Sequence, residues 1–239
     1  MVGFAGVPVG RVERLAAPYR GLYPVATLVD VARAVSMGVE VEFPGSAGSG
    51  LWVDNCTAGD PSNEPKQGGG GSTRAQFPGV AVWAAVECAA VGAVTEELRD
   101  SASSALRAVE EQRAEEFLNS VLEGEESVES AGSIFAAARR VRSEGWEPVV
   151  LMSPEAAVAA LESKAVHWVQ GGLVTVTGAR VVVSDAFTSV WVVGDIYVWR
   201  SPAEVYESFD VETNARLVVA ERTLAVGWAG PAVRVEEGS

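Results

Sequence analysis

The stretch TEELRDSASSALRAVEEQRAEEFLNSVLEG, Thr95 to Gly124, constrains the chain more than any other. Apolar residues recur at Leu98, Ala102, Ala105, Leu106, Val109, Phe117, Leu118, Val121 and Leu122. That spacing by threes and fours is one face of a helix. Thr95 is placed to cap its start. Glu96 and Glu97 sit where carboxylates favour the positive end of the helix dipole, and Gly124 supplies the stop. At about 1.5 Å per residue such a helix spans roughly 40 Å, long for a small domain. Its other face is Glu, Arg, Gln and Ser, which predicts a solvated side and a flat, extended subunit.

The remaining elements are read outward from this helix. Residues 1–23 carry Gly, Pro and Arg with little periodicity and predict an extended arm. Pro24 to Met37 has apolar residues at helical spacing, with Pro24 near a start and Gly38 at the end, and predicts a short helix. Val39 to Phe43 alternates Val and Glu as a strand does. Pro44 to Thr73 contains GDPSNEPKQGGGGST, turn and flexible residues throughout, and predicts a long hairpin-like extension between apolar flanks. A connection of that length usually reaches for something.

After the long helix, Glu125–Ser130 is a connection and Ile134–Ser143 a second helix. PVVLM, Pro148–Met152, is apolar throughout and predicts a buried strand. Ser153 caps a third helix with Pro154 at its first position and Glu155 in its first turn. Strands follow at Leu173–Val176, Arg180–Ser184, Val190–Val193 and Ile196–Trp199, then at Arg216–Ala220 and Thr223–Gly227 in a β-rich close.

Composition narrows the function classes. In 239 residues, Lys and Arg number 18 and the formal charge is −14, so a dedicated nucleic-acid groove is not expected. An acidic surface does suit a protein that lives beside packed DNA without adhering to it. Cys56 and Cys88 are too far apart for a zinc signature or a disulfide framework. No basic head precedes an apolar run at the N-terminus, and no stretch nears the roughly 20 apolar residues that span a bilayer. The expectation is a soluble chain made in the cytoplasm, with no membrane partner.

No residue pattern builds an active site. His167 is the lone histidine and no G-x-S-x-G elbow accompanies it, so it is read as structural. GGGGST lacks the Gly-Lys-Ser/Thr ending of a phosphate loop. Trp52, Trp83, Trp146, Trp168, Trp191, Trp199 and Trp228 are read as core or interface anchors. No cofactor and no metal site are expected.

Four phrases in order resemble the tailed-phage major capsid protein family of the Hong Kong 97 type, in its actinobacteriophage-like form. GAVTEELRDSASSALRAVEEQRAEEFLNSVLEG resembles the family's spine helix, and EGWEPVVLMSPEAAVAAL its axial-domain strand and helix. TVTGARVVVSDAF resembles the strand pair that follows. GDIYVWRSPAEVYESFDVETNARLVVAERTLAVGWAGPAVRVEEG resembles the closing segment. The match covers most of residues 39–239.

The resemblance implies an α+β fold with an N-terminal arm and short helix (1–38), an extended loop with peripheral-domain strands (39–92), a spine helix (93–130), an axial domain (131–200) and a return to the peripheral domain (201–239). It implies hexamers and pentamers that tile an icosahedral head around double-stranded DNA, a virion protein assembled in the host bacterial cytoplasm. Scaffolding, portal and decoration proteins are implied partners, and a fused scaffolding domain is not expected. In some members a loop lysine bonds to a neighbour's asparagine, assisted by a glutamate. The matching positions are Lys66, Asn214 and Glu221. Such a bond needs a neutral amine and a carboxylate in a dry site. A loop lysine is usually solvated, so no cross-link is the expectation. An encapsulin-type compartment shell shares the architecture, although such shells usually start with a helix. A soluble α/β enzyme with a Gly-rich lid is the reading from another class.

Overall fold

The computed structural model describes residues 21–43, 73–89, 95–210 and 215–236. In chain order it contains β1 (Thr27–Asp30), β2 (Val39–Phe43), β3 (Thr73–Phe77), β4 (Gly79–Ala89), α1 (Thr95–Glu123), β5 (Glu129–Ala131) and α2 (Ile134–Ser143). There follow β6 (Val149–Met152), α3 (Pro154–Glu162), β7 (Val166–Val169), β8 (Gly172–Thr175), β9 (Arg180–Val183) and β10 (Val190–Val193). The chain closes with β11 (Ile196–Arg200), β12 (Glu204–Asp210), β13 (Ala215–Trp228) and β14 (Val233–Val235).

The long helix forms as its spacing predicts, but its buried row is a winding one. Leu98, Ala102, Leu106, Glu110, Ala114, Leu118 and Leu122 are all buried, every fourth residue without exception. Four residues overshoot a helical turn by about 40°, so this row winds around the helix along its length. The helix therefore packs on different partners as it advances. It lies on β4 and β13, and its last turn reaches the β9–β10 connection and β14.

The described strands form three sheets. A five-stranded sheet is ordered β1-β11-β13-β12, with β4 on the other side of β13. A seven-stranded sheet is ordered β5-β14-β10-β6-β9-β8-β7, and β2 pairs only with β3. Sheet membership does not follow chain order: β14 of the closing segment joins the seven-stranded sheet, while β11 joins the five-stranded one.

The apolar run at β6 has a direct cause. Val150 and Met152 pack with Ala137, Ala138 and Val141 of α2 and Ala157 and Ala160 of α3. Val149 and Leu151 face the other way, into the cluster that holds Leu106, Leu118 and Trp191. A strand covered on both faces has no polar side to show. Both smaller helices start as read, with the Ser133 hydroxyl capping α2 and the Ser153 hydroxyl capping α3.

The helix expected over Pro24–Met37 is corrected by the structure. Leu22 O accepts from Val25 N and Ala26 N in a turn, and Thr27–Asp30 then forms β1, parallel to β11 from Thr27↔Tyr197 to Asp30↔Arg200. The β-branched run suits either state, and the open ladder of β11 decides it. Residues 31–38 are irregular. A Cβ at Gly79 would sit 1.8 Å from the Val35 carbonyl oxygen, so glycine is required where β4 passes them.

One further reading changes. The strands expected at Arg216–Ala220 and Thr223–Gly227 are one 14-residue strand. Glu221 and Arg222 resemble a break but stay in register with Trp83 and Val82 of β4. His167 and Trp168 do follow a helix, α3, and lie exposed on strand β7. The Gly-rich stretch within Pro44–Thr73 lies outside the described residues, as do residues 1–20. Its two ends are joined by the β2–β3 ladder, Phe43↔Thr73 to Val39↔Phe77.

Lys164 has φ 61°, the left-handed conformation that closes α3, where Ala165 N donates to Ala160 O at 2.8 Å. A Cβ is strained there and glycine is not. Lys164→Gly is expected to raise unfolding free energy by about 0.5–1 kcal/mol, read from the urea midpoint. A loss would mean that its side chain contributes more than the strain costs.

Candidate functional site

The residues named for a cross-link do not form a site among the described residues. Lys66 and Asn214 lie outside them. Glu221 is half-buried on β13, opposite Trp83 of β4 and Glu204 of β12. It lines a small cavity of about 110 Å³ with Ser201, Tyr206 and Arg222, among others. The Tyr206 hydroxyl there donates to Glu204, a contact that holds its pKa up.

Chemistry is thin elsewhere too. An open groove of about 450 Å³ runs between α1 and the β9–β10 connection, lined by Gln112, Glu116, Ser184, Asp185 and Ala186. No group of three or more His, Cys, Asp or Glu able to hold a metal occurs among the described residues. No described helix is long and apolar enough to cross a membrane. His167 is exposed, and Cys88 lies on β4 while Cys56 is outside the described residues.

The tryptophans divide by role. Trp191 and Trp228 are buried, and Trp83 and Trp168 are exposed. Trp146 and Trp199 belong to a ring cluster that ties the β2–β3 pair to the body: Phe43 to Trp146 at 5.6 Å, Phe77 to Trp199 at 6.0 Å and Phe77 to Trp228 at 5.3 Å. Trp52 is not among the described residues.

What the structure does assemble is a charged clamp around helix carboxylates that the sequence reading placed in solvent. Glu110, 3% exposed, accepts from the Tyr23 hydroxyl at 2.8 Å and from Arg222 Nη1 at 3.1 Å, with Arg200 Nη1 at 3.6 Å. Arg200 also bonds Asp30 at 2.8 and 3.1 Å and lies over the Tyr23 ring. Burial, then the Glu110 charge, pushes the Tyr23 hydroxyl far above its ordinary range, so it remains a donor.

Next along the helix, two more carboxylates hold main chain. Glu111 accepts from Tyr23 N and Glu115 from Leu22 N, both at 2.8 Å, and Glu115 also accepts from the Ser184 hydroxyl at 2.7 Å. From β9, Arg180 donates to the Val25 carbonyl at 2.7 Å. Residues 21–30 are thus fixed to α1, β9 and β11 at once. The signal available in the sequence was Glu110 inside the strict four-residue row, and Arg222 inside a strand otherwise fit for burial.

No family profile matches the chain, and no curated protein matches it. Solved structures do. The chain is similar to the capsid of an empty GTA particle, with TM-score 0.61 and 9% identity over 98% of this chain and 95% of that one. It is similar to a virus-like particle from Pyrococcus furiosus, with TM-score 0.56 and 11% identity over 91% and 92%. The capsid of Ralstonia phage GP4 is a third, with TM-score 0.51 and 11% identity over 100% and 98%. At such identities the likeness is one of fold. The chain has the α+β fold of the tailed-phage capsid proteins that its sequence resembles.

Proposed function

We propose that the chain is a major capsid protein that assembles as hexamers and pentamers into an icosahedral phage head around double-stranded DNA. The observation that carries this is coverage. The likeness to the GTA capsid spans 98% of this chain and 95% of that one, so the whole chain, and not one module of it, has the shape of a shell subunit. On this reading the seven-stranded sheet with α2 and α3 is the axial domain. The five-stranded sheet with α1 is the peripheral domain. Residues 1–20 and 44–72 reach neighbouring subunits, where segments gain the burial that one subunit does not supply, and many identical contacts add by multivalency.

The role is structural and needs no catalytic centre. Scaffolding, portal and decoration proteins are its natural partners, the virion its place and the host bacterial cytoplasm its site of assembly. The acidic surface repels DNA phosphates, which lets packaged DNA move against the wall. The likeness to a virus-like particle favours one second reading, an encapsulin-type shell around protein cargo.

Electron microscopy of the purified recombinant protein tests the proposal, with the same sample on a denaturing gel. Closed shells, or sheets and tubes of hexamers, are expected. Discrete small particles, with and without candidate scaffold, would sink it. Particles from the native source that carry protein and no DNA would favour the second reading. A single gel band is expected after boiling in reductant. A ladder that disappears in Lys66→Arg, in Asn214→Ala and in Glu221→Gln would instead establish the bond from Lys66 to Asn214 with Glu221 as base.

A further inference from the structure

The clamp around residues 21–26 is unevenly charged. Glu110 faces the guanidiniums of Arg200 and Arg222. Glu115, 5% exposed, touches only neutral donors, Leu22 N–H on Oε1 and the Ser184 hydroxyl on Oε2. The charges nearest to it on its own helix are Glu111 and Glu116, and Asp185 shares the adjoining groove with Glu116. On the docked segment Tyr23 is committed to Glu110, and on β9 Arg180 is committed to Val25 and Asp195. A buried carboxylate among like charges, with no cation in contact among the described residues, is costly to keep ionised.

Neither contact of Glu115 needs the charge. Leu22 N–H donates to Oε1 in both protonation states. A proton on Oε2 would donate to Ser184 Oγ, and the serine hydrogen would turn into the open groove, because a hydroxyl both donates and accepts. Ala186 N, which donates to the same Ser184 oxygen at 3.2 Å, is undisturbed.

We propose that this clamp is a proton-coupled latch: residues 21–26 dock on α1 with uptake of a proton at Glu115, so docking strengthens in mild acid and loosens as pH rises. The direction follows from linkage. Burial first, then Glu111 and Glu116, raises the docked carboxyl above its ordinary value of 4.5, while the two donors only partly offset this. Undocked, the group meets water and titrates near that ordinary value. Between the two ranges the docked state holds one more proton, and the docking constant falls by up to about tenfold per pH unit as pH rises. Above the docked range it is weakest and level.

Amide exchange by mass spectrometry on the full chain at pH 5 and pH 8 tests this, with rates corrected for intrinsic exchange and the assembly state matched by light scattering. Protection across residues 21–26 is expected to be at least about threefold lower at pH 8, with β6 unchanged. Glu115→Gln keeps an acceptor for Leu22 and gains a donor for Ser184, so it should protect the segment equally at both pH values. A level profile in the natural chain overturns the latch. So does an undiminished pH response in Glu115→Gln, or loss of protection in that variant at both pH values. Should that variant not fold, Glu111→Gln removes the nearest like charge while keeping an acceptor for Tyr23 N–H. The fall should then be smaller and level off at lower pH, and an unmoved profile rejects the idea.

Discussion

Replacing Glu110 with alanine lowers the unfolding free energy of the subunit by about 3–5 kcal/mol, the largest loss expected from one surface-length side chain here. The size follows from what is left behind. Arg222 and Arg200 have side chains only 16% and 19% exposed, and each faces Glu110. Without the carboxylate, two guanidiniums stay partly desolvated, and the Tyr23 hydroxyl loses its acceptor. Glu110→Gln keeps an acceptor for Tyr23 and should cost less. Pairing Glu110→Leu with Arg222→Met should recover much of the loss, because removing both charges avoids stranding either one. Urea unfolding of unassembled subunits reads all three. A loss below about 1 kcal/mol for Glu110→Ala would show that water reaches the pair and relaxes it.

The second large effect is on assembly. Deleting Gly68–Gly71 with their flanks should leave the subunit folded and stop shells from forming. The ends of the deleted stretch are held by the β2–β3 ladder and by Phe43 and Phe77 against Trp146, Trp199 and Trp228. Changing the length between fixed ends alters closure entropy only slowly, by about 0.6 kcal/mol per doubling. Subunit stability should therefore stay within about 1 kcal/mol, while electron microscopy finds no closed particles. A variant that loses its circular-dichroism signal would mean that the stretch belongs to the core. One that still builds shells would remove its role between subunits.

Much of this architecture is legible without coordinates wherever the signal is local. Apolar spacing and the acidic first turn mark Thr95–Glu123 to within a residue. Ser153 marks the start of α3, because a cap is a bond between residues three apart. PVVLM announces a strand covered on both faces. The four phrases that resemble capsid proteins lie mostly on these elements, which is why the fold was readable although identity to its structural likenesses is about a tenth.

The rest was settled by contacts between residues far apart in the chain. Thr27–Asp30 could have coiled, and became a strand because β11 offered it a parallel edge. Glu221 and Arg222 look like a turn, and are held straight because β4 pairs with them and Glu110 accepts from Arg222 across 112 positions. Glu110 and Glu115 read as solvent-facing, since a periodicity argument assigns a residue to a face by its own polarity. Only the folded chain brings Tyr23, Leu22, Ser184 and two arginines to them and so makes their burial affordable. Apart from Thr27–Asp30, sequence alone determined most of which segments coil or extend, because those choices are made within a few residues. Tertiary structure decided which polar side chains are buried, because a buried charge is tolerable only where distant partners meet it.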